Sequence, residues 1–217
     1  MKLRFGLLML LGMWLLGVAQ AAEPTFKEGL QYTLVTPQPP VHQGDEVEVL
    51  EFFWYGCPHC NALEPYLNDW LKKKPANIHF VRIPAPFSGR AMLHAKMFYA
   101  LQAMGEIDRL HDVIFQAIHT KRIKLDTLDE MADFLAAQGV DEQKFRAALD
   151  SFAVQTQMQR ALVLARRYDI HAVPTLIVDG RYKSGKGFKS YGEFTELVDY
   201  LAAKVLKEQK MAAATHP

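Results

Sequence analysis

The sequence has only two cysteines in 217 residues. Two cysteines are too few for the disulfide framework of a small secreted domain or for a four-thiolate zinc site. An excess of positive charge is also absent, since 25 basic and 24 acidic residues give a net charge of +1, which argues against general nucleic-acid binding. No glycine-rich loop follows a strand-like segment, so no organic cofactor is predicted. Half of the residues are hydrophobic, and the chain is therefore expected to fold around an apolar core.

A long hydrophobic run occurs only at the N-terminus. Lys2 and Arg4 precede an uncharged apolar run over residues 5–18, and a small-x-small cleavage pattern follows at residues 19–21. These three parts predict a cleaved signal peptide over residues 1–21. The alternative is a membrane anchor, but this run is shorter than the ~20 apolar residues that span a bilayer. We therefore expect a soluble mature protein in the periplasm, which is an oxidising compartment.

The two cysteines lie three residues apart, in Cys57-Pro58-His59-Cys60. A strand-like run at residues 46–53 precedes the pair, and apolar residues recur at helical spacing after it. Cys57 is therefore predicted at a helix N-terminus, where free backbone N–H groups and the helix dipole lower the pKa of a thiol. Pro58 is tolerated in a first helical turn, and His59 can add positive charge. Cys60 follows one turn later and is placed to resolve a mixed disulfide formed at Cys57.

This arrangement predicts a redox-active disulfide between Cys57 and Cys60. A stabilised Cys57 thiolate favours the reduced form, so the disulfide form is expected to oxidise other protein thiols. One alternative is an inert structural disulfide, although so small a loop would stabilise the fold little. Another is a metal carrier that uses both thiolates and His59. A zinc site would need further ligands that one cysteine pair does not supply, so no metal is predicted.

Glu51 lies in the strand-like run, six residues before Cys57. Strand alternation places it on the same face as Val49 and Phe53. An acid in this position is either exposed or buried for a functional reason. Burial would raise its pKa and allow it to exchange protons with Cys60.

Val173-Pro174 begins a second strand-like segment, which ends at the turn signal Asp179-Gly180. Proline in a sheet is confined to strand starts and edges, so Pro174 is either an ordinary strand-start proline or a cis proline. His171 lies three residues before Pro174. It is either a solvent-exposed loop histidine or a histidine that approaches the disulfide.

The segment at residues 50–53, the Cys57–Cys60 motif and Val173-Pro174 together resemble the thioredoxin superfamily, and within it the bacterial DsbA-type thiol:disulfide oxidoreductases. The Pro-His dipeptide is found in DsbA-like oxidants, whereas thioredoxin-like reductants usually carry Gly-Pro. The resemblance implies that the Val173–Pro174 bond is cis, faces the disulfide and aligns the substrate chain. It also implies that Glu51 is a buried acid beneath the active site and that Glu64 is a second acid nearby.

The resemblance covers most of the mature chain and implies an α/β thioredoxin fold with an inserted all-helical domain. The expected divisions are a discontinuous thioredoxin-like domain at 24–86 and 167–207, a helical insertion at 87–166, and a disordered tail at 208–217. Asp126 is predicted to cap a helix at 127–138, and Asp141 is predicted to cap the next helix. The entry to the insertion, at residues 81–90, matches no family motif, so its groove residues are not predicted.

The resemblance also implies the function: a thiol:disulfide interchange protein that oxidises cysteine pairs through a mixed disulfide. The implied partners are reduced or unfolded exported proteins and a DsbB-type, quinone-linked membrane reoxidase, and a monomer is expected. A reductase or isomerase with the same fold remains an alternative, although a DsbC-type isomerase needs a dimerisation domain for which this chain has no room. A non-enzymatic metal carrier or a chaperone-like binding protein is the other alternative.

Overall fold

Five β-strands form one mixed sheet in the computed structural model, which describes residues 26–39, 44–87 and 89–215. The strands are β1 (Tyr32–Leu34), β2 (Val47–Phe53), β3 (Ile78–Pro84), β4 (Thr175–Val178) and β5 (Tyr182–Ser184). Their order across the sheet is β1-β5-β4-β2-β3. β2 and β3 are parallel, and the other neighbouring pairs are antiparallel. The signal peptide predicted over residues 1–21 lies outside the described residues.

Helices cover both faces of the sheet. Within the described ranges they are α1 (Pro58–Leu71), α2 (Gly89–Ala103), α3 (Ile107–His119), α4 (Leu128–Ala137), α5 (Glu142–Leu149), α6 (Phe152–Arg167) and α7 (Tyr191–Thr215). Parallel strands need a crossover connection, and α1 supplies it between β2 and β3. Helices α2 to α6 follow one another between β3 and β4, where the sequence predicts the helical insertion. None of the helices in these ranges is both long and apolar enough to cross a membrane.

Two apolar cores lie on opposite faces of the sheet, and β2 contributes to both because its side chains alternate. Val47 and Val49 pack with α1 and α7, whereas Leu50 and Phe52 pack with the helices of the insertion. This alternation places Glu51 on the side of α1, which is the helix that carries the cysteines. A charged side chain thereby enters an apolar layer directly beside the candidate site.

The last turns of α7 correct one prediction. The helix continues to Thr215, so the predicted disorder of residues 208–217 is wrong for residues 208–215. Glu208 accepts a hydrogen bond from the Tyr182 hydroxyl at 2.7 Å and pairs with Arg181, and the Gln209 side chain donates to the Glu46 carbonyl at 3.2 Å. These contacts with distant parts of the chain order a segment whose composition alone suggested disorder.

The start of α4 corrects a second prediction. Thr127, and not Asp126, is the N-cap, and it forms a capping box with Glu130. Asp126 instead forms an ion pair with Arg90, with Nε and Oδ1 2.7 Å apart. The predicted cap of α5 by Asp141 is confirmed, since its side chain accepts from the Lys144 N–H at 2.9 Å.

The capping box gives a measurable stability prediction. Thr127→Ala removes the acceptor for the Glu130 N–H and should lower the free energy of unfolding by about 1 kcal/mol. Thr127→Ser keeps a hydroxyl and should retain most of this stability. Urea unfolding of both variants checks the prediction. Equal losses in the two variants would show that the hydroxyl is not the stabilising group.

Candidate active site

Cys57 is the N-cap residue of α1, as predicted, with an extended backbone at φ −86° and ψ 118°. Its N–H donates to the Trp54 carbonyl at 2.9 Å, and its own carbonyl accepts from the Asn61 N–H at 3.1 Å. Gly56 is required in this turn, because a Cβ there would lie 2.3 Å from the Trp54 ring. The chain therefore turns sharply at the end of β2 and delivers Cys57 to the start of a helix.

The surroundings of Cys57 lower its pKa to about 6. The largest cause is the hydrogen bond that its sulfur receives from Cys60. Burial opposes this effect, while the backbone N–H groups of Cys60 and His59 and the charge of His59 add to it. The free N–H groups at the start of α1 therefore favour the thiolate form of Cys57.

The pKa of Cys60 is shifted in the opposite direction from that of Cys57. Its side chain is fully buried. Burial, followed by the hydrogen bond and charge of Cys57 and the charge of Glu51, raises the pKa of the Cys60 thiol well above its usual range. Both cysteines are free thiols here, so the structure describes the reduced form, and the Cys57–Cys60 disulfide stays a prediction. At neutral pH the outer sulfur is ionised and the inner one is protonated.

A proline loop lies against Cys57. The Val173–Pro174 peptide bond is cis, as the resemblance implies. The Cys57 sulfur lies 3.4 Å from the Val173 carbonyl oxygen, within reach for the neutral thiol to donate a hydrogen bond. β4 begins one residue later, at Thr175. The tertiary fold thus brings together two motifs that are 116 residues apart in the chain.

A cleft of about 670 Å³ extends from this loop. Its lining includes His59, Val173, Pro174, Phe188, Tyr191 and Phe194. The Tyr191 hydroxyl lies 3.0 Å from Nδ1 of His59, which links the start of α7 to the active-site helix. The cleft therefore offers an apolar surface and main-chain groups immediately beside Cys57.

Glu51 is completely buried, and its charge acts on Cys60. Arg82 is its partner in the β2–β3 register, and Arg82 Nε lies 3.3 Å from Oε2 of Glu51. This contact is not aligned as a hydrogen bond, and neither carboxylate oxygen has a hydrogen-bond partner in the described part of the chain. Burial, with a contribution from the charge of Glu64, raises the pKa of Glu51 to about 8, although Arg82 opposes the change.

Glu64 is held differently from Glu51. Arg82 Nη2 donates to its Oε2 at 2.9 Å, and Nε2 of His111 lies 3.2 Å from its Oε1. Burial alone would raise the pKa of Glu64, but the hydrogen bond from His111 and the charge of Arg82 lower it. Two acids near the cysteines therefore have opposite character, with Glu64 ionised and Glu51 protonated near neutral pH.

His111 belongs to this network, although the sequence does not reveal it. Because a carboxylate can only accept, Nε2 of His111 carries the proton toward Glu64. Nδ1 is then the acceptor for the Tyr55 hydroxyl, 2.8 Å away. Burial lowers the pKa of His111 despite the neighbouring carboxylate, so the ring is neutral. Arg82, Tyr55 and His111 were not predicted to belong to the site, because their contacts depend on strand pairing and helix packing rather than on neighbouring residues.

Seven residues that were predicted from the sequence to form the site lie around the cysteine pair, and His171 does not. The residues around the cysteine pair are Glu51, Cys57, Pro58, His59, Cys60, Val173 and Pro174. His171 is solvent-exposed and its Nε2 lies 2.6 Å from Asp169 Oδ1, in agreement with the exposed-loop interpretation. Among the described residues, no group of three or more His, Cys, Asp or Glu side chains is arranged to hold a metal ion.

Comparisons with known proteins agree with this geometry. The sequence-family model of the DSBA-like thioredoxin domain matches residues 90–198. The thiol:disulfide interchange protein DsbA of Pseudomonas aeruginosa is 44% identical over 191 residues, covering 88% of this chain and 90% of the relative. The protein of the same name from Burkholderia cepacia is 40% identical, covering 94% of this chain and 97% of the relative.

Solved structures show the same likeness. The crystal structure of Pseudomonas aeruginosa DsbA superposes with a TM-score of 0.75 at 42% identity, covering 88% of this chain and 97% of that one. The oxidoreductase DsbA of Xylella fastidiosa gives a TM-score of 0.73 at 29% identity, covering 84% and 97%. The predicted thioredoxin fold with a helical insertion is therefore confirmed. The chain belongs to the DsbA-like thioredoxin-domain family of thiol:disulfide interchange proteins.

Proposed function

We propose that the Cys57–Cys60 disulfide of this oxidoreductase is donated to cysteine pairs of reduced or unfolded exported proteins in the periplasm. The observation that carries the proposal is the asymmetry of the two thiols. The pKa of Cys57 is lowered to about 6, whereas the pKa of Cys60 is raised. A sulfur that is stable as a thiolate is a good leaving group, so its disulfide is readily reduced by another thiol.

The reaction proceeds in two thiol–disulfide exchanges. A substrate thiolate attacks Cys57, forming a substrate–Cys57 bond while the Cys57–Cys60 bond breaks and Cys60 leaves with the electron pair. A second substrate thiolate then attacks the substrate sulfur of the mixed disulfide. The new substrate disulfide forms, and Cys57 leaves as a thiolate. Two substrate thiols are oxidised, and one protein disulfide is reduced.

Glu51 supplies the proton that the first exchange requires. Cys60 leaves as a thiolate in a buried site where its charged form is unfavourable. Glu51 holds a proton near neutral pH, and its charge acts on Cys60. Proton transfer from the carboxyl group to Cys60 makes the exchange favourable, and the reverse transfer activates Cys60 when the disulfide is restored.

Substrate binding uses the cleft and the proline loop. An extended substrate segment pairs with the main chain beside Pro174, which gives affinity with little sequence selectivity. The aromatic side chains of Phe188 and Phe194 offer an apolar surface for substrate side chains. Such a site suits unfolded proteins of many sequences, and a monomer is sufficient for it.

Turnover requires an electron acceptor, because each cycle leaves the two cysteines reduced. A DsbB-type membrane partner is the proposed acceptor, and it passes the two electrons to a quinone. The periplasmic location rests on the N-terminal sequence pattern. Mature protein recovered from the periplasm should begin after Ala21, and recovery of the full N-terminus would contradict cleavage there.

The redox properties of the purified protein test the proposed function. Thiolate absorbance of the reduced protein should titrate with a midpoint near pH 6 and vanish from that range in Cys57→Ser. The reduction potential should lie well above the value of about −270 mV for thioredoxin. A potential at or below that value would instead indicate a reductase. Full activity of Cys57→Ser in cells would favour a non-redox binding protein.

A further inference from the structure

A second recess, of about 510 Å³, lies between the active-site turn and the helical insertion. We call it the basic recess, and define it by Gly56, Pro58, Arg90, His119, Arg122 and Lys124. Gly56 and Pro58 are the immediate neighbours of Cys57 in the chain. The basic recess therefore adjoins the active-site turn, as the apolar cleft adjoins Pro174.

The basic recess carries unbalanced positive charge. The charge of Arg90 is matched by Asp126 at 2.7 Å. Arg122 and Lys124 are exposed and form no hydrogen bond or ion pair with any residue that the structure describes. Glu130 is near enough to Lys124 for their charges to interact, but its carboxylate accepts from two backbone N–H groups at 2.9 and 3.0 Å. Arg122 and Lys124 therefore face solvent with no hydrogen-bonded or ion-paired partner among the described residues.

These cations are presented by an ordered segment. The N–H of Ile123 donates to the Ala117 carbonyl at 2.9 Å. Leu125 is buried, and its carbonyl accepts from Nε2 of His94 at 2.9 Å. Arg122 and Lys124 alternate with these two anchors along the chain, so little further ordering of the backbone is needed when a ligand binds.

The same segment is tied to the active-site turn. Nε2 of His119 donates to the Tyr55 carbonyl at 2.7 Å, and the Trp54 indole N–H donates to Nδ1 of His94 at 3.1 Å. His94 is neutral, because one ring nitrogen accepts a hydrogen bond and the other donates one. These contacts hold the backbone that carries Arg122 and Lys124 against the turn that precedes Cys57.

We propose that the basic recess binds aspartate or glutamate side chains of the substrate. This inference rests on the proposed function, since the substrate must be attached to Cys57. A substrate chain with its cysteine at Cys57 has the apolar cleft on one side and the basic recess on the other. Extended chain advances about 3.3 Å per residue, so acids two to four residues from the cysteine lie about 7 to 13 Å along the chain from it. The protein thus prefers cysteines with acidic residues on that one side.

Dithiol peptides test this preference. Six peptides carry two cysteines each and differ at positions two to four residues from one cysteine: Glu, Gln or Lys is placed there, either on its N-terminal side or on its C-terminal side. Their rates of oxidation by the disulfide form are measured by acid quenching. Each rate is divided by the rate of the same peptide with oxidised glutathione, which corrects for the intrinsic reactivity of its thiols.

The native protein should oxidise the Glu peptide about fivefold faster than the Gln peptide, and only when Glu is on one particular side. The Lys peptide should be slowest, and 0.5 M salt should reduce the differences, as expected for exposed charges. In an Arg122→Gln/Lys124→Gln double variant the Glu-to-Gln ratio should fall to within about twofold of one. An unchanged ratio in this variant would overturn the proposal.

A matched double variant separates the recess from overall charge. Lys207→Gln/Lys210→Gln also removes two exposed positive charges, but more than ~20 Å along α7 from Tyr191 beside the active site. It should keep the full preference for the Glu peptide. An equal loss of the preference for the Glu peptide in both double variants would show that the net charge of the protein, and not the basic recess, is responsible. Failure of the native protein to oxidise even the Gln peptide would count against the proposed function instead.

Discussion

A Cys57→Ala variant should oxidise a reduced test protein at least ~1,000-fold more slowly than the native protein, because no mixed disulfide can form. Cys60 remains in this variant, but burial keeps it as a thiol at neutral pH. It should therefore react slowly with an alkylating agent at pH 7. Quenched-flow oxidation and alkylation, each followed by mass, measure the two effects.

Cys60→Ala is the informative comparison for this prediction. It also loses oxidase activity, since no internal disulfide exists, but its Cys57 should still be alkylated. The hydrogen bond from Cys60 is the largest cause of the lowered pKa of Cys57. The midpoint of alkylation should therefore rise above pH 6 in Cys60→Ala. A midpoint that stays at 6 would show that the helix N-terminus and His59 are sufficient.

Glu51→Gln should change stability in a pH-dependent way. The pKa of Glu51 is raised to about 8 in the folded protein, so the folded state holds its proton more tightly than the unfolded state does. Between about pH 4.5 and 8 the unfolded protein loses this proton while the folded protein keeps it. The free energy of unfolding therefore falls progressively as the pH rises. The variant has no ionisable group at this position. It should be more stable than the native protein by roughly 4 kcal/mol at pH 8, with little difference at pH 4.

Urea unfolding of the oxidised protein between pH 4 and 8 measures this effect without a contribution from the Cys57 thiolate. Glu48→Gln is the matched control, because Glu48 is exposed on the same strand. It should change the free energy of unfolding by less than ~0.5 kcal/mol across the range. A native stability that does not fall with pH relative to Glu51→Gln would mean that Arg82 keeps Glu51 ionised in the fold.

The same variant should also slow the chemistry. Gln cannot give a proton to Cys60, so attack of a substrate thiolate on the disulfide should slow by about tenfold or more at pH 7. Glu48→Gln should leave this rate unchanged. Equal rates in Glu51→Gln and the native protein would place the proton source elsewhere.

Local features of the chain were predictable because they depend on neighbouring residues. The strand-like run before Cys57, the turn at Gly56 and the apolar spacing after Cys60 are enough to place a thiol at a helix start. The capping of α4 shows the limit of local reasoning, since Asp126 and Thr127 are both good caps. Asp126 pairs with Arg90 of a different helix, and Thr127 caps α4.

Features that depend on distant contacts were not predictable from one sequence. Arg82 meets Glu51 only because β2 and β3 pair in one particular register. The last turns of α7 are ordered by contacts of Glu208 and Gln209 with the sheet region. Neither the pairing register nor these contacts leave a periodic pattern in the sequence.

The amino-acid sequence is enough to establish the kind of chemistry: two thiols one helical turn apart, with the outer one at a helix N-terminus. The packing of remote segments sets the pKa values of those thiols. It buries Glu51 and Cys60, brings Val173 to Cys57, and places Arg122 and Lys124 in a recess that adjoins the active-site turn. Burial and the distances between charges set pKa values and charge selectivity, and both are established only when remote segments of the chain pack together.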